Sequence, residues 1–182
     1  MTKTTRSDGE IARDWWRQTL AGADGPSRAA RARLRRARDG HAALTEPAAI
    51  LLARRLRGHE DQALALATVL AHVKEDTELP LMRALGHRTP PDAREAEPPL
   101  LARARFDRLM RADPKELPAM LIRLVRQLGG TANIAELADA LIWWPTDAGR
   151  ARIQRKWAFD YFAAPTANPD SADMAKPTET AA

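Results

Sequence analysis

Apolar residues recur every three to four positions over most of the chain, which is the spacing of a helix with one buried face. In residues 60–74, for example, Ala63, Leu66, Leu70 and Val73 follow this spacing. The pattern predicts an all-α fold, a helical bundle of about nine helices. They are expected over residues 10–20, 27–38, 46–57, 60–74, 79–85, 100–111, 114–128, 133–141 and 148–162.

Polar caps and helix-breaking residues mark the ends of these helices. Ser7 and Glu10 form a capping-box pattern before the first helix, and Thr45 is expected to cap the third. Gly129-Gly130 is interpreted as a helix stop. Composition supports the same fold class, because 37 Ala and 21 Leu stand against only 3 Val and 6 Ile. Such a composition favours helices and excludes an all-β fold.

A proline-rich segment divides the helical pattern into two parts. Residues 86–99 hold four prolines among charged residues, which predicts a loop between two packed lobes, residues 1–85 and 100–164. Residues 165–182 are polar and are predicted to form a disordered tail. Eight of the nine aromatic residues lie near the two ends of the chain, and we expect them to pack in the core: Trp15, Trp16, Trp143, Trp144, Trp157, Phe159, Tyr161 and Phe162.

Several kinds of catalytic and membrane-bound protein have little support in this sequence. Cysteine is absent, which excludes disulfides, thiolate metal sites and cysteine nucleophiles. The four histidines are isolated, the three serines lie in caps or tails, and no glycine-rich phosphate loop is present. The longest apolar run, residues 47–53, is too short to span a bilayer. We therefore expect a cytoplasmic, non-enzymatic protein with no cofactor, no metal and no membrane partner.

The formal net charge of +5 indicates what kind of partner the protein could bind. The chain has 29 basic and 24 acidic residues, and 24 of the basic residues are arginines. Arginine presents a planar set of donors suited to phosphate, so a basic, arginine-rich chain suggests a polyanionic partner. A codon bias that favours Ala and Arg together would explain the same totals. The positions of the arginines must therefore decide between these explanations.

Arginines lie on one face of several predicted helices, opposite the apolar face. Within the helix at 27–38 they are spaced by 3, 4 and 3 positions, which places them on one stripe. Such stripes are compatible with a solvated helix surface, but together they favour an extended positive surface for a sugar-phosphate backbone. The arginines and lysine of these faces include Arg28, Arg31, Arg35, Arg38, Arg105, Arg108, Arg111, Arg123, Arg126, Arg152, Arg155 and Lys156.

Two other functions are consistent with the same residues. Residues 132–140 and the last helix could form a helix-turn-helix regulator, with Arg150, Arg152, Gln154 and Arg155 reading a major groove. The bulky segment Trp143-Trp144-Pro145 would be unusual in that turn. Alternatively, the protein could be an architectural subunit whose arginines pair with acidic protein neighbours.

Several segments, taken in order, resemble the CasB family, the small subunit of the type I-E CRISPR surveillance complex Cascade. The resemblance covers residues 10–162. The segments that carry it are Asp14-Trp15-Trp16-Arg17, Leu34-Arg35-Arg36, Arg105-Phe106, Arg108-Leu109-Met110-Arg111-Ala112-Asp113, Leu121-Ile122-Arg123-Leu124 and Leu141-Ile142-Trp143-Trp144.

The resemblance implies an all-helical protein of two lobes without enzymatic activity. It also implies partners: other Cascade subunits, guide RNA, target and non-target DNA, and a second copy of this chain arranged head to tail. A basic face would stabilise the R-loop in antiviral defence, while base pairing reads the sequence. The expected contacts inside matched segments are Arg35, Arg36, Arg105, Arg111 and Arg123. Arg108, Arg152 and Lys156 join them on the surface argument alone.

Overall fold

The computed structural model of the chain describes residues 6–87 and 98–162. The predicted tail at 165–182 and most of the predicted loop at 86–99 lie outside the described residues. The proposed division into two lobes at this loop stays a prediction.

Nine α-helices account for most of the described residues, which confirms the all-α fold class. A 3₁₀ turn at Ala42–Thr45 and two paired strands of two residues, β1 (Glu75–Asp76) and β2 (Thr131–Ala132), complete the elements. The helices are α1 (Asp8–Thr19), α2 (Gly25–Arg36), α3 (Pro47–Arg55), α4 (Glu60–Leu70), α5 (Leu81–Leu85), α6 (Arg103–Met110), α7 (Leu117–Gln127), α8 (Ile134–Trp143) and α9 (Asp147–Phe162).

Most helix ends follow the sequence signals, with some corrections. The capping box of Ser7 and Glu10 forms as predicted. The cap at Thr45 was wrong, because Thr45 belongs to the 3₁₀ turn and its hydroxyl donates to the carbonyl of Ala42. Helix α4 ends at Leu70, four residues before the predicted end, because the chain turns there to enter β1.

The core draws on helices from both sides of the 86–99 segment. Helix α1 packs along α8, α4 packs against both α7 and α8, and α5 packs against α9. Trp15, Trp144, Trp157 and Tyr161 are fully buried, as predicted. The prediction was wrong for Phe159, whose side chain is 73% exposed on the outer face of α9.

Hydrogen bonds to backbone carbonyls hold two of the buried tryptophans in place. The indole N–H of Trp15 donates to the carbonyl of Ala48 at 3.0 Å, and that of Trp144 donates to the carbonyl of Ala112 at 3.0 Å. These bonds remove the cost of burying an unpaired donor. Within the described residues, no helix is both long enough and apolar enough to cross a membrane.

Candidate nucleic-acid interface

A groove between α6 and α7 brings together three of the predicted site residues. Arg105 and Arg108 from α6 and Arg123 from α7 line a cavity of about 420 Å³. Its remaining lining is mostly apolar and consists of Leu101, Leu109, Met120, Leu124 and Gln127.

The apolar periodicity of both helices directs these arginines outward. Phe106 and Leu109 of α6 are buried, whereas Arg105 and Arg108, each one position earlier, are exposed. Helix α7 buries Leu121 and Leu124 in the same way. Successive helical residues lie about 100° apart. Each groove arginine directly precedes a buried apolar residue, so it lies to the side of the buried face and lines the groove.

Helix α9 fixes the position of α6. The rings of Phe106 and Tyr161 stack with their centroids 4.0 Å apart. The Tyr161 hydroxyl donates to the carbonyl of Leu101 at 2.6 Å, just before α6 begins. Helix α6, which forms one side of the groove, is therefore held against α9 by a packed aromatic contact and a hydrogen bond.

The groove arginines have no acidic partner in the part of the chain that the structure describes. The one carboxylate of α6, Asp107, pairs instead with Arg103 at 2.9 Å. The charges of Arg105, Arg108 and Arg123 are therefore uncompensated by any described carboxylate. Such a surface favours an anionic ligand.

The other predicted residues of α2 and α6 lie away from this groove. Arg111 and Arg36 are exposed at the ends of α6 and α2, and neither lines the cavity. The Nε of Arg35 donates to the carbonyl of Ala71 at 2.6 Å, next to the end of α4. Arg31, from the same stripe, donates to the carbonyl of Gly22. The α2 stripe is thus partly used to bind the backbone of the protein itself.

Arg152 and Lys156 of α9 differ from the groove arginines because they are paired. Arg152 makes two hydrogen bonds to Asp139, at 2.9 and 2.7 Å, which raise its pKa. Lys156 contacts Glu136 at 2.6 Å and Asp160 at 2.8 Å. Burial would lower the pKa of Lys156, but hydrogen bonds to these two carboxylates outweigh it and raise the pKa.

Three of the four side chains that a helix-turn-helix protein would use to read bases are engaged inside this protein. The fourth, Arg155, is exposed and has no partner among the described residues. Arg150 donates to the carbonyl of Trp144 at 3.1 Å, and Gln154 donates to the carbonyl of Met110 at 2.6 Å. Arg152 is held by Asp139. A recognition helix needs these groups free for base edges, so the geometry disfavours the regulator alternative.

The structure also assembles a second basic cluster that the sequence reasoning missed. Arg35, His72, Lys74 and Arg126 meet beside the Gly129-Gly130 turn. The sequence assigned His72 and Lys74 to the end of a helix and offered no signal that they would meet arginines from α2 and α7. In residues 6–87 and 98–162, no group of three or more histidine, aspartate or glutamate side chains could hold a metal ion.

The fold and groove define the chain as an all-helical protein with an arginine-lined surface groove. The family model for CRISPR-associated protein Cse2 matches residues 30–162, and the chain belongs to this family, the CasB small subunit of type I-E Cascade. The match contains α6, α7 and the groove, and the family is one of structural subunits. This confirms the resemblance found in the sequence. Comparisons with curated proteins and with solved structures give no match.

Proposed function

We propose that the α6–α7 groove binds the sugar-phosphate backbone of nucleic acid within Cascade and thereby stabilises the R-loop. The observation that supports this proposal best is the convergence of Arg105, Arg108 and Arg123 on one groove without a described acidic partner. The bound strands are the guide RNA–target DNA duplex and the displaced non-target DNA. The chain acts by binding alone and catalyses no reaction.

Backbone contacts of this kind are sufficient for the proposed role. Base pairing carries the sequence specificity, and exchange of a DNA duplex for an RNA–DNA duplex is nearly balanced in free energy. A few charge-assisted contacts to phosphate can therefore shift the balance toward the open R-loop. The apolar lining from Leu101, Leu109 and Leu124 lowers the local dielectric and strengthens such contacts.

The remaining predicted residues are expected to contribute to nucleic-acid binding by different amounts. Arg111 and Arg36 are exposed and available to a strand that continues beyond the groove. Arg152 and Lys156 would first have to give up a carboxylate, so we expect them to contribute less. Two copies of the chain arranged head to tail would lengthen the basic track along the guide RNA.

The test is target binding by Cascade assembled with the double variant Arg105→Gln/Arg123→Gln. We expect about tenfold weaker binding, and a salt dependence that is smaller by about one unit for each lost phosphate contact. The matched control is Arg54→Gln, which removes an exposed arginine of α3 that does not line the groove. Unchanged affinity and salt dependence in the double variant would contradict the proposal.

The architectural alternative predicts a different result in the same experiment. If the groove arginines bind acidic surfaces of other subunits, the double variant will be lost from the assembled complex. Native mass spectrometry of the purified complex measures this directly, because it counts the copies of each subunit. Full subunit content with weakened DNA binding would support the nucleic-acid role.

A further inference from the structure

The second basic cluster lies where the ends of α2, α4 and α7 meet. Arg35, His72, Lys74 and Arg126 line a depression of about 300 Å³ together with Gly129 and Gly130. None of the three groove arginines lines it, so this pocket is a separate feature from the α6–α7 groove.

Backbone contacts place the charged groups of this pocket. The Nε of Arg35 donates to the carbonyl of Ala71, which leaves its terminal N–H groups for another acceptor. The backbone N–H of Lys74 donates to the carbonyl of Gly130 at 2.8 Å. Gly130 has φ +101°, and a side chain there would come within 2.9 Å of Lys74 Cγ. The turn therefore needs glycine to keep Lys74 in position.

The groups in this pocket repel one another electrostatically. No carboxylate is among the lining residues. Burial lowers the pKa of Arg35, and the charges of Arg31 and Arg126 lower it further. Burial also lowers the pKa of His72 to about 4, with further contributions from Arg126 and Arg35. The imidazole is therefore neutral at pH 7 and presents one N–H donor among three cations.

A purely structural role accounts for only part of this arrangement. Cations near helix C-termini bind the last carbonyls and interact favourably with the helix dipole. Arg35 does this beside the end of α4. The side chains of Lys74 and Arg126, however, make no hydrogen bond or ion pair to any described residue. Helix capping therefore does not explain why both side chains line the same pocket as His72, which is 92% buried.

We propose that this pocket binds a phosphate group. Arg35, Arg126 and Lys74 would donate charge-assisted hydrogen bonds to the phosphate oxygens, and the imidazole of His72 would donate its N–H. A bound anion would remove the repulsion among the cations. Free phosphate, the terminal phosphate of a strand and a backbone phosphodiester share this chemistry.

The test follows the full-length protein by nuclear magnetic resonance during titration with three probes at constant ionic strength. The probes are inorganic phosphate, a 5′-phosphorylated thymidine tetranucleotide and the same tetranucleotide with a 5′-hydroxyl. The readouts are the His72 ring signals and the amide signals of Gly129 and Gly130. We expect binding to raise the pKa of His72 by about one unit or more, because the anion offsets the neighbouring positive charges.

Two variants and two controls make the assignment specific. Lys74→Gln and Arg126→Gln should each weaken binding about tenfold, the effect of losing one charge-assisted hydrogen bond. Arg54→Gln, at an exposed arginine of α3 that does not line the pocket, should leave binding unchanged. Circular dichroism establishes that each variant is folded. The groove variant Arg105→Gln/Arg123→Gln should also keep the phosphate response. A failure of this proposal can therefore be distinguished from a failure of the proposed function.

Each outcome of the titration supports or overturns the proposal. A response to inorganic phosphate and to the 5′-phosphorylated strand alone would assign the pocket to a free or terminal phosphate. A response to both tetranucleotides would assign it to a backbone phosphodiester. No response to any probe, or an undiminished response in Lys74→Gln and Arg126→Gln, would overturn it.

Discussion

Basic residues project from both the α6–α7 groove and the face of α9 that contacts α8, but their surroundings differ. In the groove, Arg105, Arg108 and Arg123 have no carboxylate partner among the described residues. On α9, Arg152 pairs with Asp139, and Lys156 pairs with two carboxylates. The number of arginines on a helix face therefore does not identify a binding surface. The presence or absence of acidic partners supplied by other elements distinguishes the two faces.

The paired region is also part of the tertiary structure. Glu136 of α8 is buried and accepts three hydrogen bonds. Its donors are the backbone N–H of Leu81 at 2.6 Å, the indole N–H of Trp157 at 3.1 Å and the ammonium group of Lys156 at 2.6 Å. This carboxylate therefore connects α8 to the start of α5 and to α9.

The largest expected effect comes from removing the buried carboxylate of the paired region. Glu136→Ala should lower the free energy of unfolding by about 3 kcal/mol, because it leaves two buried N–H donors and one ammonium group without this acceptor. Urea denaturation measures the change. The control is Glu116→Ala, an exposed glutamate without a side-chain cap bond, which should change stability by less than about 0.5 kcal/mol. Equal effects of the two variants would contradict the special role of Glu136.

The second-largest effect is the pH dependence of stability that comes from His72, which is buried near the positive charges of Arg126 and Arg35. The pKa of His72 is about 4 in the folded protein, below its ordinary value of 6.5. Between these values the unfolded chain binds a proton that the folded protein does not bind. The free energy of unfolding should therefore fall as the pH decreases from 6.5 to 4, by about 2 kcal/mol from this group.

The matched variant for the pH experiment is His72→Gln, which should lack this part of the pH dependence. Arg126→Gln should reduce it, because one source of repulsion is removed. Urea denaturation at several pH values provides the measurement. A wild-type slope that persists in His72→Gln would show that other groups cause it.

An acidic side chain placed in the groove should make its arginines resemble the paired residues of α9. Gln127 lines the groove and is exposed, so Gln127→Glu introduces a carboxylate without a change in size. Cascade with this variant should bind target DNA about three- to tenfold more weakly and lose about one unit of salt dependence. The control Gln127→Ala removes the hydrogen bond to the carbonyl of Leu100 without adding charge. An equal loss in both variants would attribute the effect to that hydrogen bond.

The smallest effect is expected from releasing an arginine of the paired region. Asp139→Asn should lower the free energy of unfolding by about 0.5 kcal/mol, because the ion pair with Arg152 is solvent-exposed. DNA binding by Cascade should change little, since the groove keeps its arginines and Arg152 is expected to contribute less than they do. Markedly tighter DNA binding by Asp139→Asn would show that Arg152 contributes as much as a groove arginine once it is released from its partner.

Local sequence signals predicted much of the fold. The helical periodicity located the nine helices of the described residues, and the capping box at Ser7 and the stop at Gly129-Gly130 formed as predicted. Predictions failed where tertiary context decides. Thr45 has the right side chain for a cap but lies in a 3₁₀ turn, and Phe159 is apolar but lies on the outer face of α9.

The amino-acid sequence alone predicts the helices and the arginine side of each helix, because helical periodicity depends on residues three and four positions apart. It could not determine which arginines have partners. Arg152 and Asp139 lie 13 positions apart, Lys156 and Glu136 lie 20 apart, and Arg35 meets His72 and Arg126 from still more distant segments. Only the packing of the helices brings these groups together, since electrostatic contacts depend on distance in space rather than on separation along the chain.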